Sequence, residues 1–303
     1  MATKRPASIA KPALGSRRSG SINVAFVNRV IPVCYSASTR MGTGMAARTL
    51  AGKRILVTGA SQGIGYAFAL EAAKRGAKVV ASARNAELLQ RLQADAPDIA
   101  TVVGDVTAPA DREAMLRAAL ERHGGLDILV NNAGCGATGL FGDTQPDTLR
   151  RVMEVNFFAL AELTRLCLPS LQRGVRPLVV NVSSIFGRRG YPRYSEYCAS
   201  KFAVQGFSDA IRAELSKRNI GVLVVNPGPT ETAFQENMVE RATGTPRAAR
   251  RMPATAVAEA MCRAIEKDKP ELTLTAVGKA LVLANRFAPW ALEWYFRREF
   301  RPG

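Results

Sequence analysis

Tyr197 and Lys201 stand four residues apart in Tyr197-Cys-Ala-Ser-Lys201. On a helix, residues at that spacing share one face, so the lysine ammonium can approach the phenol. A free phenol titrates near pH ~10, too high for a base at neutral pH. A neighbouring cation favours phenolate and lowers that value. The phenol can then give a proton to a carbonyl oxygen or take one from an alcohol. With six tyrosines in the chain, the spacing carries weight only in company. Asn181-Val-Ser-Ser184, at the end of an apolar run, brings hydroxyls to the same region. A hydroxyl aimed at a developing alkoxide stabilises the transition state.

A second cluster precedes these. Thr58-Gly-Ala-Ser-Gln-Gly-Ile-Gly65 follows the apolar run Arg54–Thr58 and opens a stretch of helical spacing. Glycines at 59, 63 and 65 permit a tight turn and close approach of a pyrophosphate, which the helix N-terminus then binds with free N–H groups and its positive dipole end. The strand–helix context is what such a motif demands. A plain turn is the competing reading.

The spacing Gly-x-x-x-Gly-x-Gly resembles the short-chain dehydrogenase/reductase family. Further motifs agree in order: Asp105-Val106 resembles the pair that contacts adenine, Asn131-Asn132-Ala133-Gly134 the sheet-stabilising motif, and Pro227-Gly228 with Thr232 the segment beside the nicotinamide. The resemblance covers residues 52–270. It implies a nicotinamide-dependent oxidoreductase interconverting a carbonyl and an alcohol. Its tetrad falls on Asn156, Ser184, Tyr197 and Lys201. Ser184, thirteen residues before Tyr197, would hold the substrate oxygen, with Ser183 ranked second. Lys201 would also hold the nicotinamide ribose, and Asn156 would support a water chain to it, although a polar residue capping a helix bend is a serious rival reading. Cofactor contacts are expected from Gly59, Ser61, Gln62, Gly63, Ile64, Gly65, Arg84, Asp105, Val106, Asn132, Ala133, Gly134, Tyr197, Lys201, Pro227, Gly228, Thr230 and Thr232.

The end of the second strand bears on cofactor choice. An acid there accepts ribose hydroxyls and favours NAD. Here Ala83 is followed by Arg84, and an arginine pairs with a 2′-phosphate. NADP(H) is therefore favoured over NAD(H). Gln62 lacks the basic charge that some NADP-binding relatives carry in the turn, which moderates the preference. A solvated loop cation is the alternative reading of Arg84.

The elements that must position these residues alternate. Strands are expected at 54–58, 78–82, 100–103, 126–130, 178–182 and 222–225. Helices are expected at 64–75, 87–94, 109–122, 148–171, 195–217 and 254–267, with an edge strand at 272–274. Apolar strands alternating with helices mean a parallel sheet covered on both faces. The fold class is thus α/β, a Rossmann-like doubly wound sheet in one domain. Residues 51–303 form that domain, and 230–303 form a substrate lid with a C-terminal helix. The polar, Arg-rich residues 230–253 suit its mobile part. Ala276–Phe296 reads as an amphipathic helix or lid, since Lys279, Arg286, Pro289 and Glu293 interrupt it. That stretch is also a candidate for peripheral membrane contact. Its Leu281, Phe287, Trp290, Trp294 and Tyr295 suggest a lipophilic substrate, or else packing against the core or a partner. Phe141, Phe186 and Tyr191 are pocket candidates on the same footing.

Composition bounds the rest. The chain has 303 residues and a net charge of +17. Eight cations and no acid lie in residues 1–50, so much of the excess belongs to a leader. That leader reads as a disordered tail, as a mis-assigned start before Met45, or less readily as an organelle-targeting peptide. No basic segment has the interleaved aromatics of a single-strand binder, so nucleic acid is not an expected partner. Five widely spaced cysteines without a Cys-x-x-Cys pair exclude a disulfide framework or zinc site and fit a reducing, cytoplasmic compartment. Asp127 and Asp143 lack metal-ligand spacing, and no metal is expected. His123, the only histidine, precedes Gly124-Gly125 and reads as a solvated helix end, which excludes a histidine triad. The family resemblance implies a homo-oligomer. The alternative function is a non-catalytic NADPH-binding sensor or scaffold on the same fold.

Overall fold

The computed structural model describes residues 48–242 and 251–299. The expectations for the leader therefore lie outside the described residues, apart from its last three positions, and part of the 230–253 segment does too.

The chain begins β1 (Arg54–Thr58), α1 (Gly63–Lys74), β2 (Lys78–Ala83), α2 (Ala86–Asp95), β3 (Ala100–Val103), α3 (Pro109–His123) and β4 (Ile128–Asn131). It continues with the two-residue β5 (Ala137–Thr138), α4 (Thr148–Met153), α5 (Ala159–Gln172), β6 (Leu178–Val182), α6 (Ser195–Ser216) and β7 (Gly221–Asn226). The last part holds the short β8 (Thr230–Glu231), β9 (Glu240–Arg241) and β10 (Met252–Pro253), then α7 (Ala254–Glu266), β11 (Glu271–Thr273), α8 (Ala276–Phe287) and α9 (Pro289–Glu299).

Seven strands make one sheet in the order β11-β7-β6-β4-β1-β2-β3, and every pairing is parallel. The strand order reverses beside β1, so the carboxyl ends of β1 and β4 part and open a crevice there. Successive side chains of a strand face opposite ways, and β1 shows the consequence. Ile55 and Val57 join Phe68, Val257 and Met261 on the α1–α7 side, whereas Leu56 joins Met115, Leu163 and Leu171 on the α3–α5 side. Both faces are apolar because both are covered.

The ends of elements follow local chemistry. Pro109 opens α3, where a missing N–H costs nothing. Gly124 closes it at φ 72°, a left-handed cap that glycine adopts without strain. His123 is not fully solvated: it is half-buried against β2, its ring N–H donates to the Val79 carbonyl, and burial outweighs that bond and lowers its pKa. The expected single helix 148–171 is instead α4 and α5 joined by a π-helical turn, Glu154–Phe158. Such turns accommodate an extra residue and often mark functional positions. The expected helix 276–296 is broken at Ala288–Pro289 into α8 and α9. No described helix is long and apolar enough to cross a membrane.

Asp127, singled out above, is a structural clamp. It is 2% exposed and accepts from the Arg54 N–H (2.9 Å), the Arg54 guanidinium (2.7 Å) and the Val175 N–H (2.7 Å). It thereby ties β1 to the segment before β6. Burial pushes its carboxyl up, but these hydrogen bonds outweigh that and hold it below the ordinary value of 3.8. A depressed carboxylate contributes stability at pH values above its unfolded pKa and loses it as pH falls through the folded pKa. Asp127→Ala should therefore cost about 3 kcal/mol at neutral pH. In urea titrations the cost should shrink below about pH 4; a pH-independent cost would contradict the clamp.

Candidate active site

The glycine turn is built by backbone proximity. Gly59 and Gly63 have φ of 66° and 62°, the left-handed region that glycine tolerates. A Cβ at Gly59 would lie 2.7 Å from the Ala133 Cα, and one at Gly63 2.9 Å from the Thr232 side chain. Gly65 sits beneath the turn rather than in the cleft wall, and a Cβ there would overlap Asn132 and the Gly59 carbonyl. The Asn132 side chain donates to the Thr58 and Gly59 carbonyls at 2.9 and 3.1 Å, and its own N–H donates to the Thr58 hydroxyl. Asn132 thus braces the turn with its side chain and can offer the cleft only its remaining surface. Gln62 precedes α1 without a side-chain cap, and no acid stands in the first turn. That leaves the helix N-terminus suited to an anion.

The four tetrad candidates come from three places. Ser184 follows β6, Tyr197 and Lys201 lie on the first turns of α6, and Asn156 lies in the π turn. The Ser184 hydroxyl hydrogen-bonds the Tyr197 phenol. Lys201, 4% exposed, places its ammonium 5.7 Å from the Tyr197 ring centre and donates to the Val182 carbonyl at 3.0 Å. Asn156 is fully buried. Its amide donates to the Cys135 carbonyl and the Ser200 hydroxyl, both at 2.9 Å, and its oxygen accepts from the Cys135 N–H at 2.8 Å. Asn156 thus ties the π turn to the segment after β4 and to α6. Gly134 lies where Asn156 and Lys201 converge. Ser183, ranked second, is turned inward and donates to the Lys201 carbonyl at 3.1 Å.

The expected acidity of the phenol is not what this geometry gives. Burial pushes the Tyr197 phenol well above its ordinary value of 10, and the Ser184 hydrogen bond only partly offsets it. The ammonium donates to a backbone carbonyl and lies over the ring at 5.7 Å from its centre. Burial also lowers Lys201 to about 8. Both groups are biased toward neutrality by the same dry surroundings.

A single cleft of about 1330 Å³ joins the glycine turn to these side chains. Of the residues named from sequence as cofactor contacts, all but Gly65 line it, as do Ser184, Tyr197 and Lys201; Asn156 stands behind the wall. Arg84 follows β2 and its side chain is 76% exposed, 3.8 Å from Asp105. Phe186 and Tyr191 line the cleft as a stacked pair, ring centres 4.9 Å apart. Phe141 is exposed elsewhere. Leu281 and Tyr295 line the wall, whereas Phe287, Trp290 and Trp294 point to solvent, 71%, 74% and 62% exposed. An i, i+4 pattern on a two-sided helix does not say which side faces the cleft. Phe234, whose ring centre is 5.6 Å from that of Tyr197, and the wall residues Tyr194, Leu292, Phe296 and Arg251 were not anticipated. They carry no motif and arrive from segments far apart in sequence.

The short chain dehydrogenase family model matches residues 53–243. The chain belongs to the short-chain dehydrogenase family. A dehydrogenase/reductase SDR family protein 7-like of Anopheles gambiae is 32% identical over 94% of this chain and 96% of its own length. A short chain dehydrogenase of Burkholderia cenocepacia, solved with NADP, superposes with a TM-score of 0.72 at 25% identity, covering 84% of this chain and all of that one. A Burkholderia phymatum short chain dehydrogenase/reductase solved with NAD gives 0.74 at 25% identity, covering 81% and 96%. This short-chain dehydrogenase is an NAD(P)-dependent oxidoreductase with the doubly wound sheet of its family. Its residues fit a dinucleotide: the glycine cradle has no room for side chains, and an uncapped helix N-terminus faces the cleft.

Burying Lys201 has a stability cost that a neutral side chain escapes. Below about pH 8 the lysine is charged in both folded and unfolded states, and the burial penalty is felt in full. As pH rises from 8 toward 10.5 the folded state sheds its proton first and the penalty fades. Lys201→Met should therefore stabilise the free protein by about 2 kcal/mol at neutral pH, after allowing for the lost bond to Val182. Thermal melts should show that gain narrowing in alkali; a destabilised variant at neutral pH would refute the penalty.

Proposed function

We propose that this enzyme uses NADP(H) to interconvert a carbonyl and a primary or secondary alcohol on a lipophilic substrate, with Tyr197 carrying the proton. The observation that carries this reading is the meeting of Ser184, Tyr197 and Lys201 in one cleft continuous with the glycine turn. When bound, a nicotinamide cofactor supplies or accepts the hydride. The glycine turn, with Ser61, Gln62 and Ile64, would hold its pyrophosphate. Asp105, Val106 and the Ala133–Gly134 backbone would flank its adenosine side, and Pro227, Gly228, Thr230 and Thr232 its nicotinamide side.

The Ser184 hydroxyl orients the substrate oxygen beside the phenol. Tyr197 Oη then donates its proton to that oxygen. A buried, protonated phenol is the form that serves reduction, which is the direction that NADPH favours in a cell. Lys201 holds positive charge near the ring and offers its remaining N–H groups to the ribose, while Asn156 fixes the Cys135 backbone beside it. Arg84, exposed at the end of β2 and only loosely paired with Asp105, is free to meet a 2′-phosphate.

Residues 51–303 are read as one catalytic domain. Its portion from 230 onward forms the lid: β8 pairs with β10, β9 pairs with β5, and α8 and α9 supply apolar wall. Exposed Leu149, Phe158 and Phe202 on the long helices support pairing into a homo-oligomer. Among the described residues, four free, buried cysteines fit a reducing cytoplasm. Exposed Phe287, Trp290 and Trp294 beside Arg286, Arg297 and Arg298 support peripheral contact with a membrane surface.

A panel of lipophilic aldehydes and ketones, followed by NADPH oxidation, tests the reading. Tyr197→Phe should lower kcat about a thousandfold with cofactor binding retained. Turnover by neither protein, with NADPH still bound, would favour the sensor alternative. Arg84→Asp should raise KM for NADPH about tenfold or more and spare NADH. Equal effects on the two cofactors would remove Arg84 from the 2′-phosphate.

A further inference from the structure

Beyond Tyr197 the cleft is an apolar sleeve of Phe186, Phe234, Leu281, Leu292 and Phe296. Arg193 and Arg251, from the segments that carry these side chains, also line the cleft, and both are cations. Two acids line the cleft: Asp105 stands beside Arg84, and Glu154 lies in the π turn, four residues after Arg150. Arg251 differs. It is half-buried and donates to the Gln235 side-chain oxygen at 2.8 Å, and among the described residues no carboxylate lies within 4.0 Å of it. Gln235 follows Phe234, whose ring packs on Tyr197. The guanidinium also lies close enough to the Tyr194 phenol to work against the upward push of burial there.

A guanidinium withdrawn from water against an apolar wall pays for desolvation unless an anion meets it. A neutral amide oxygen is a weak substitute. Arginine's planar fork suits a carboxylate, and a phenol hydroxyl alongside can donate a further hydrogen bond to it. We propose that the substrate carries a carboxylate remote from its carbonyl, and that Arg251, assisted by the Tyr194 hydroxyl, recognises it. The substrate class is then an oxo or hydroxy acid with an apolar body, lying along the sleeve with its reacting oxygen at Tyr197. This rests on the reading of Tyr197 as the proton carrier.

The test uses medium-chain keto acids with the ketone at graded distances from the carboxylate, each beside its methyl ester. At the best spacing the wild-type enzyme should prefer acid over ester in kcat/KM by roughly 10- to 100-fold, the range for a hydrogen-bonded charge. Arg251→Ala should bring that ratio close to one, and Arg251→Lys should keep part of it. Equal rates for acid and ester, or a ratio unmoved in Arg251→Ala, overturns the proposal. A second readout needs no turnover: calorimetric titration of the cofactor-saturated protein with decanoate and with methyl decanoate. Tighter binding of the acid, lost in Arg251→Ala, supports the carboxylate site; equal binding refutes it. Absence of turnover with intact acid preference in binding would count against Tyr197 and not against Arg251.

Discussion

Five consecutive residues at the carboxyl end of β4 tie the molecule together. Asn131 donates to Thr164 and Asn181, joining β4 to α5 and β6. Asn132 and the Ala133 N–H grip Thr58 and the glycine turn. Gly134 receives Asn156 and Lys201, and Cys135 is held at both backbone groups by Asn156. The controlling constraint is the close approach of two main chains, Gly59 to Ala133, which leaves no space for a side chain at Gly59. Once that distance is fixed, the helix N-terminus, the lysine and the phenol all have defined places along one cleft.

The same dry packing that fixes geometry sets the chemistry. Tyr197 and Lys201 are both pushed toward their neutral forms by burial. In a solvated site the ammonium would be expected to acidify the phenol; here the ammonium is turned to Val182 and the phenol stays protonated. A protonated phenol held by a serine hydroxyl is ready to donate, and charge brought in by a ligand would shift that balance. On the proposed mechanism, activity and stability pull against each other at Lys201, because the charge proposed to serve the chemistry is the one that folding would rather neutralise.

The alternation of strands and helices was legible because each strand is apolar on both faces and each helix follows within a few residues. The glycine turn and the Tyr197–Lys201 pair were legible because their spacings are short and local. The π turn was not, since Glu154–Phe158 continues the helical pattern on either side and only the extra residue betrays it. Nor was the role of Asp127, whose partners Arg54 and Val175 are distant in sequence. The C-terminal aromatics divided in a way that composition does not encode. Tyr295 and Leu281 turned to the cleft, whereas Trp290 and Trp294 turned to water. Which face of a helix is buried depends on the surface it meets, and that surface is assembled from the rest of the chain.

That division also separates chemistry from specificity. The tetrad candidates sit after β6, in the π turn and on α6, held by hydrogen bonds to neighbouring backbone groups. Residues that shape the far end of the cleft come from the loops around 186–194, 232–239 and 251 and from α8 and α9. They are bound to the body by short two-strand pairings and by ring packing. Exchanging one of them alters the sleeve without disturbing the β4 knot, because the two regions share few hydrogen bonds. A common reaction can therefore persist on this frame while the substrate changes. On the reading proposed above, a charged wall residue such as Arg251 bears on what the chain acts on, whereas the motifs bear on how it acts.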